Sequence, residues 1–346
     1  MKKRNSVLVG MSGGVDSSVS ALLLKQQGYD VYGVTFKLSE DQDSLSLNYA
    51  IKVAEKLKIK YEVIDITKEF KKEVIDYFLE EYQRGRTPNP CVICNRKLKF
   101  HQLIKYADEK GIDFVATGHY VRVDKNNQRY FLRKATDLKK DQSYFLYRLT
   151  QEQLRRSIFP LGNLSKNDVR DIARKFGLGV ADKKDSQDIC FIHNGDYSSF
   201  VKNNSNIPFE YGDIINMKGE KIGTHSGIFK YTIGQRKGLK IPSSNPLYVI
   251  DIDPVKNVLV VGEESDLYSN NFEVSDVNLM AIDNLNKPLD VTVKVRSSAI
   301  PVPAVITNSR KNNVLVKLGK RQRAVTSGQS AVFYKNDILV AGGIIV

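Results

Sequence analysis

One loop near the start of the chain limits the possible folds more than any other segment. Residues 10–17 read Gly-Met-Ser-Gly-Gly-Val-Asp-Ser, and they join an apolar strand pattern at 6–11 to a helix pattern at about 17–27. Further strand patterns alternate with helix patterns, at 31–37, 61–66 and 114–117. Such alternation predicts an α/β fold with a parallel, Rossmann-like sheet that binds ligands at the carboxyl ends of its strands.

The glycine loop has the features of a phosphate site. Gly13 and Gly14 lack a Cβ atom, so their backbone can approach a ligand, and the free N–H groups at the helix start favour an anion. Ser12 and Ser17 add hydroxyl donors, and Asp16 would help to hold Mg²⁺ or position the loop. The spacing matches neither the loop that continues with Gly-Lys-Ser/Thr nor the dinucleotide fingerprint. The alternative is a serine-capped helix after a tight turn.

The second half of the chain has a different pattern. Beyond about residue 204, short β-type runs lie between glycine-rich turns, and from about residue 272 the runs are longer and alternate. This pattern predicts a small central β-rich domain and a C-terminal β-barrel. The expected domains are residues 1–203, 204–268 and 269–346.

The charge of the chain favours a polyanionic partner. Lys and Arg number 53 against 39 Asp and Glu, a formal net charge of +14, and this excess is typical of nucleic-acid binding. The apolar runs are too short to span a bilayer, and the basic N-terminus leads into an apolar run of only six residues, 6–11. We therefore expect a cytoplasmic protein with no membrane partner.

Three cysteines are candidates for reactive groups. Cys91 and Cys94 form a Cys-x-x-Cys pair just before a helix pattern at 97–110, and Cys190 follows in a charged loop. Three cysteines in an unexported chain do not make a disulfide framework. A position near a helix N-terminus, with Arg96 nearby, predicts a lowered pKa for the thiols of the pair.

Several kinds of chemistry fit these thiols. They could be inert buried side chains, or they could hold a metal. A zinc site would need a fourth ligand, for which His193 is nearest in sequence, whereas an iron–sulfur cluster could use three thiols and leave one iron open. In the remaining alternative, one thiol carries a persulfide and another completes the exchange.

Seven motifs occur along the chain in one order. They are the glycine loop, the Asn-Pro-x-x-x-Cys-Asn segment at 89–95, Ala-Thr-Gly-His-Tyr at 116–120, Lys-Asp-Gln-Ser-Tyr at 140–144, Asp-Ser-Gln-Asp-Ile-Cys at 185–190, Tyr-Thr-Ile-Gly-Gln-Arg-Lys-Gly at 231–238 and Gly-Gln-Ser-Ala-Val-Phe-Tyr at 328–334. The loop resembles the signature of ATP pyrophosphatases. Together the motifs resemble the tRNA-specific 2-thiouridylase family over essentially the whole chain.

The resemblance implies a fold and a reaction. The family has an N-terminal ATP-pyrophosphatase domain, a central domain and a C-terminal β-barrel. Its enzymes adenylate the 2-oxygen of the wobble uridine of tRNA with ATP and Mg²⁺, and sulfur then displaces AMP. A sulfur donor, such as a cysteine desulfurase or a sulfur-relay protein, is an implied partner beside tRNA.

The resemblance also implies roles for individual residues. The catalytic residues would be Cys94 as nucleophile and Cys190 as persulfide carrier. The expected ATP contacts are Gly10, Met11, Ser12, Gly13, Gly14, Val15, Asp16, Ser17, Phe36 and Gly118. The expected tRNA contacts are Asn89, Pro90, Cys91, His119, Lys140, Asp141, Gln142, Arg296, Ser297 and Gln329.

Two positions depart from the family pattern. Many members have Asp at the position of Cys91, and a larger or aromatic residue at the position of Ser297. The cysteine keeps open a second route to the same product, through a [4Fe-4S] cluster held by Cys91, Cys94 and Cys190. Two other classes of function remain: an ATP-pyrophosphatase ligase that acts on a small molecule, and a non-enzymatic RNA-binding or sulfur-carrier protein.

Overall fold

The structure, a computed structural model, describes residues 5–39, 44–126, 128–181, 183, 189–192, 196–205, 210–310 and 313–346. The described part contains a parallel sheet, a small mixed sheet and a closed antiparallel barrel. The predicted fold class is therefore confirmed.

The N-terminal sheet has five strands in the order β3-β2-β1-β4-β7. They are β1 (Ser6–Gly10), β2 (Asp30–Lys37), β3 (Lys60–Asp65), β4 (Phe114–Ala116) and β7 (Ser157–Ile158). Strand β1 pairs in parallel with β2 and β4, and its side chains are buried on both faces. Val7 and Val9 belong to one core cluster, and Leu8 belongs to another on the opposite face. This two-sided burial explains the continuous apolar run of the strand.

Nine α-helical segments lie in the described part of the chain. They are α1 (Val15–Gln26), α2 (Ser44–Leu57), α3 (Thr67–Phe70), α4 (Asp76–Gln83), α5 (Pro90–Ile93), α6 (Phe100–Glu109), α7 (Gln151–Arg156), α8 (Lys166–Lys175) and α9 (Tyr197–Asn204). Two π-helical turns, Lys71–Ile75 and Cys94–Lys99, connect α3 to α4 and α5 to α6. The helix that was expected at 97–110 therefore begins at Pro90, which occupies the favoured first position of a helix.

The central sheet contains four strands in the order β10-β11-β8-β9. They are β8 (Gly212–Ile215), β9 (Lys221–His225), β10 (Tyr248–Asp253) and β11 (Val258–Gly262). Their apolar side chains form a separate small core around Ile214, Val249 and Leu259. This agrees with the small β-rich unit that the pattern predicts.

The C-terminal barrel is closed by a pairing between its first and last strands. Its six strands are β12 (Tyr268–Leu279), β13 (Leu289–Lys294), β14 (Val302–Asn308), β15 (Val314–Arg323), β16 (Ser330–Lys335) and β17 (Ile338–Ile345). Strand β12 pairs with both β15 and β17, which leaves no free edge between them.

A hairpin from the N-terminal half extends the barrel sheet. Its strands, β5 (Val121–Lys125) and β6 (Tyr130–Lys134), pair with each other, and Arg133 of β6 pairs with Ile338 of β17. Arg122 and Arg133 both donate hydrogen bonds to Asp337, at 2.8 and 2.9 Å. This contact joins the first part of the chain directly to the last.

None of the helices in the described ranges has the length and apolar character needed to cross a membrane.

Candidate active site

The glycine loop has the form expected of an anion site. Gly13 has a φ of +69°, and a Cβ atom there would lie 1.9 Å from the carbonyl oxygen of Ser46, so only glycine fits. Gly14 precedes helix α1 and has no side chain to cap the helix start. The first N–H groups of α1 therefore face the loop without a side-chain cap, which favours a bound phosphate.

The two serines and Gly118 complete this end of the sheet. The Ser17 hydroxyl accepts a hydrogen bond from the Ser12 backbone N–H at 3.1 Å, and the two hydroxyls lie 3.3 Å apart. Gly118 follows strand β4, and a Cβ atom there would lie 2.7 Å from the backbone nitrogen of Ser17. The predicted convergence of the loop and Gly118 at the strand ends is therefore confirmed.

Asp16 is held by two side chains from later in the chain. Lys166 Nζ lies 2.8 Å from each Asp16 carboxylate oxygen, and the Tyr120 hydroxyl donates to Asp16 at 2.7 Å. Lys166 is the first residue of α8 after its cap, Ser165, and it is buried. Sequence reasoning did not identify Lys166, because nothing local marks a pairing across 150 positions.

Cys91 and Cys94 lie within the helix and not in the loop before it. Cys91 is in α5 and is half-buried, whereas Cys94 begins the π-helical turn and is buried. Cys94 packs in an apolar cluster with Phe70 and Leu98. The Cys94 side chain is therefore packed against apolar side chains.

Cys190 is brought to the same region by the residue that follows it. Phe191 packs edge-on against Phe70 at 5.6 Å and against Phe78 at 5.4 Å, ring centre to ring centre. Phe191 also contacts the apolar cluster that contains Cys94, as does Phe36 at the end of β2. One expected ATP contact and both expected catalytic cysteines therefore lie around one cluster.

The thiol pKa values do not match the sequence prediction. Burial raises the pKa of Cys94 to about 12, and it also raises the pKa of Cys91 and of Cys190, although Cys190 lies in an exposed turn. The predicted lowering of the pKa was wrong because desolvation outweighs the nearby positive charge. The charge of Cys190 contributes to raising the pKa of both other thiols, so the three sulfurs lie within electrostatic range of one another.

Lys99 is the cation of this region, and sequence reasoning did not identify it. It lowers the pKa of all three thiols, partly offsetting burial. Burial works to lower the pKa of Lys99 itself, but the three sulfurs keep that pKa above its usual value. Cys94 and Lys99 are five residues apart in a π-helical turn, whose i to i+5 hydrogen bonds place them close together. An α-helix would rotate them about 140° apart.

His119 links the thiols to the glycine loop. It follows Gly118, its Nδ1 lies 2.8 Å from the Thr117 hydroxyl oxygen, and its ring lies 6.0 Å from that of Phe100. Burial, with a smaller effect from Lys99, lowers the pKa of His119 to about 3. The imidazole is therefore neutral at physiological pH, so one ring nitrogen donates a hydrogen bond and the other accepts one.

The described residues do not form a ready-made metal site. No three His, Cys, Asp or Glu side chains among them are grouped closely enough to hold a metal ion. Cys91, Cys94 and Cys190 as placed here are not such a group, so a cluster site with all three thiols is not preformed among the described residues. His193 and residues 185–188 of the motif before Cys190 lie outside the described residues.

Two expected tRNA contacts have internal hydrogen bonds. Asp141 accepts from the backbone N–H of Ala135 at 3.0 Å and from the Ser143 hydroxyl at 2.8 Å. Gln142 accepts at its side-chain oxygen from the backbone N–H of Tyr120 at 2.9 Å. Gln142 therefore holds the segment that carries His119, whereas Asp141 holds its own loop, and Lys140 beside them is half-buried.

Arg296 and Gln329 join domains. Arg296 donates to the Thr326 hydroxyl at 2.6 Å and to the backbone oxygen of Ile233 in the central domain at 3.3 Å. Gln329 donates to the backbone oxygen of Thr87 at 2.8 Å. Asn89 and Ser297 are half-buried, and Pro90 is buried.

Three family profiles match consecutive parts of the sequence. One described as the tRNA methyl transferase HUP domain matches residues 5–194, and one described as the tRNA methyl transferase PRC-barrel domain matches residues 198–263. A third, described as the aminomethyltransferase beta-barrel domain, matches residues 269–345.

Full-length relatives are similar to this chain. It is 48% identical over 353 residues to tRNA-specific 2-thiouridylase MnmA 2 of Clostridium tetani, with 99% of each chain covered. It is 47% identical over 357 residues to tRNA-specific 2-thiouridylase MnmA of Clostridioides difficile, with 100% of this chain and 99% of the relative covered.

Among solved structures, one similar chain is the U34-tRNA thiolase NcsA from Methanococcus maripaludis with its [4Fe-4S] cluster. The match has a TM-score of 0.36 and 20% identity and covers 58% of this chain and 65% of that one. This similarity is too low to indicate how the cysteines of the present chain are used.

Proposed function

The chain belongs to the tRNA-specific 2-thiouridylase family, and from that premise we propose that it uses ATP to place sulfur on carbon 2 of the wobble uridine of tRNA. The observation that supports this proposal most directly is a chain of contacts: Gly118 packs on the glycine loop, and Lys99 affects the pKa of the next residue, His119, as well as those of Cys94 and Cys190. A single base turned out of its stack could then meet both the loop and the thiols.

In the first step the uridine 2-oxygen attacks the α-phosphorus of ATP, and pyrophosphate leaves. The backbone N–H groups at the start of α1 and the hydroxyls of Ser12 and Ser17 would hold the phosphates. Phe36 and Gly118 would border the nucleotide, and Mg²⁺ would accompany the ATP phosphates. Asp16 is occupied by Lys166 and Tyr120, so its contribution is to position the loop.

In the second step a persulfide on Cys190 supplies the sulfur. Its terminal sulfur bonds to carbon 2 of the uridine, and AMP leaves with the former 2-oxygen. The Cys94 thiolate then attacks the Cys190 sulfur, which breaks the S–S bond, releases 2-thiouridine and forms a Cys94–Cys190 disulfide. A thiol reductant must restore the two cysteines. In a variant of this route, Cys94 first frees hydrosulfide from Cys190.

The buried Cys94 thiol must lose its proton before it can attack. With a pKa of about 12 the resting thiol is protonated at neutral pH, and the positive charge of Lys99 favours the thiolate. The Cys94 proton must therefore pass to a base at the time of the attack, and the Lys99 charge would stabilise the thiolate that results.

The proposed partners are tRNA and a protein that delivers sulfur. The net charge of +14 suits the tRNA backbone, and Asn89, Pro90, Cys91, His119, Lys140, Asp141, Gln142, Arg296, Ser297 and Gln329 are the proposed contacts. We further propose a cytoplasmic location and the domain boundaries 203/204 and 268/269.

The test is thiolation of tRNA by the purified protein with ATP, Mg²⁺ and a sulfide or persulfide source. Nucleoside mass spectrometry should detect 2-thiouridine, and Cys94→Ala and Cys190→Ala should each abolish it. Normal product from either variant would refute the role of that cysteine. If tRNA fails to stimulate pyrophosphate release, a ligase acting on a small molecule becomes the better assignment.

Cys91→Ala separates the two routes to the product. Under the persulfide route the variant keeps thiolation activity at saturating tRNA, because neither sulfur transfer uses Cys91 and a lost tRNA contact would affect binding alone. Loss of activity together with loss of visible absorbance in anaerobically purified protein would support the cluster instead.

A further inference from the structure

The loop that leads into the cysteine helix is held by the C-terminal barrel. The backbone N–H of Thr87 donates to the Ser327 carbonyl oxygen at 3.0 Å, and the Thr87 carbonyl oxygen accepts from Gln329 Nε2 at 2.8 Å. Both polar groups of the Thr87 backbone are therefore bound by one barrel loop, residues 326–329. Thr87 lies three residues before Pro90, where the helix that carries Cys91 and Cys94 begins.

Gly328 allows the barrel loop to approach the backbone at residues 86–87 closely. It has a φ of +88°, and a Cβ atom there would lie 2.9 Å from Arg86 Cβ and 3.0 Å from the Thr87 backbone nitrogen. A side chain at this position would have to push the 86–87 backbone away. The glycine is therefore needed for two reasons: it permits the turn, and it lets the two backbones lie close together.

The other side of the same segment rests on the central domain. A Cβ atom on Gly85 would lie 3.1 Å from Ile252 Cγ2 and 3.3 Å from Pro254 Cδ, both in or next to strand β10. The segment at 85–87 is thus enclosed between two domains. Its position is set by both of them, because a shift in either direction meets packed atoms.

Arg296 ties the two enclosing domains together. Its guanidinium bonds to the Thr326 hydroxyl at 2.6 Å, to the Ala324 carbonyl oxygen at 3.2 Å and to the Ile233 carbonyl oxygen at 3.3 Å. Thr326 begins the loop that holds Thr87. A side chain expected to contact RNA is therefore also an anchor of the barrel loop.

We propose that the barrel loop at 326–329 is a positioning element for the cysteine helix, so that the C-terminal barrel acts in sulfur transfer as well as in binding RNA. This inference rests on the proposed function of Cys94. A displaced loop would move the first turn of the helix, and an error of about 1 Å in a reacting group can cost up to about a hundredfold in rate.

The test compares two glycine variants. Gly328→Ala forces a Cβ atom against Arg86 and Thr87. Gly219→Ala is the matched control, since its φ of +83° imposes similar strain and its Cβ atom would meet nothing within 4 Å. Hydrogen exchange measured by mass spectrometry should show faster exchange over residues 85–96 in Gly328→Ala only. The rate of thiolation at saturating ATP and tRNA should fall at least about tenfold in that variant, with KM for ATP unchanged.

A second variant allows the inference to be tested even if Gly328→Ala does not fold. Gln329→Ala removes one hydrogen bond to Thr87 and should give a smaller change of the same kind, about threefold in exchange near Thr87. Equal exchange over 85–96 in Gly328→Ala and wild type, or equal effects of the two glycine variants, would overturn the inference. Loss of tRNA affinity in Gln329→Ala with unchanged exchange would also overturn it.

The exchange measurement needs neither ATP nor tRNA. It can therefore support or overturn the positioning role even if wild-type protein does not thiolate tRNA, which would be a failure of the proposed function alone.

Discussion

Lys166 forms an ion pair with Asp16 of the glycine loop, although the two residues are 150 positions apart. Its Nζ lies 2.8 Å from each carboxylate oxygen. The Lys166 side chain is only 9% exposed and the Asp16 side chain is 33% exposed, so the lysine end of the pair is shielded from solvent. Removing one member of such a pair leaves an uncompensated charge, which costs more than removing both. The pair explains how an aspartate can lie beside a predicted phosphate site, because the buried Lys166 neutralises the charge of Asp16.

We predict that Lys166→Met weakens ATP binding by about tenfold or more, because Asp16 would then repel the phosphates at close range. The double variant Asp16→Asn with Lys166→Met should recover part of the affinity, since no charge is left unpaired. Isothermal titration with ATP and Mg²⁺ measures both. Lys175→Met, at the exposed C-terminal end of the same helix, is the control and should bind ATP normally. Unchanged affinity in Lys166→Met would contradict the prediction.

Local patterns were sufficient to predict the parallel sheet and the glycine loop. Strand β1 is apolar at every inward position on both faces, and the loop and Gly118 follow adjacent strands, so their meeting follows from parallel topology. The barrel was predicted for a similar reason, because β13, β14 and β15 alternate buried and more exposed positions over part of their length.

Other features depend on contacts between distant segments. The hairpin β5–β6 lies in a basic stretch with weak strand alternation, and it is completed by a pairing of Arg133 with Ile338. The raised pKa of Cys94 depends on burial by Phe70 and Leu98, which a local argument about helix ends does not include. Lys99 and Cys94 are the two ends of a π-helical turn, for which the sequence carries no recognised signal.

His119 should make the protein less stable in mild acid. Its folded-state pKa of about 3 lies below the value of about 6.5 expected in the unfolded chain, so only the unfolded chain takes up a proton between those values. Stability from His119 is fully present above pH 6.5 and is lost as the pH falls. Between pH 7.5 and 5.5 the loss of unfolding free energy that is due to His119 amounts to about 1.4 kcal/mol.

His119→Asn should reduce the fall in unfolding free energy between pH 7.5 and 5.5 by about that amount, as measured by urea denaturation at each pH. His101→Asn, on the exposed face of α6, is the control and should keep the wild-type dependence. An identical pH dependence in His119→Asn and wild type would show that His119 is not held neutral by burial.

Lys99 should govern how readily the cysteines ionise. Its charge lowers the pKa of Cys190 against the effect of burial, so Lys99→Met should raise that pKa and slow alkylation of Cys190 by about tenfold at pH 8. The alkylation rate of Cys190 can be measured by site-resolved mass spectrometry from pH 6 to 10. In Lys99→Met the pH profile of this rate should be displaced to higher pH, and in Lys99→Arg it should return to that of wild type. Lys97→Met, which loses only an exposed contact with Glu73 at 3.5 Å, should leave the profile in place. If the Lys99→Met profile overlays that of wild type, Lys99 is not the counter-charge of these thiols.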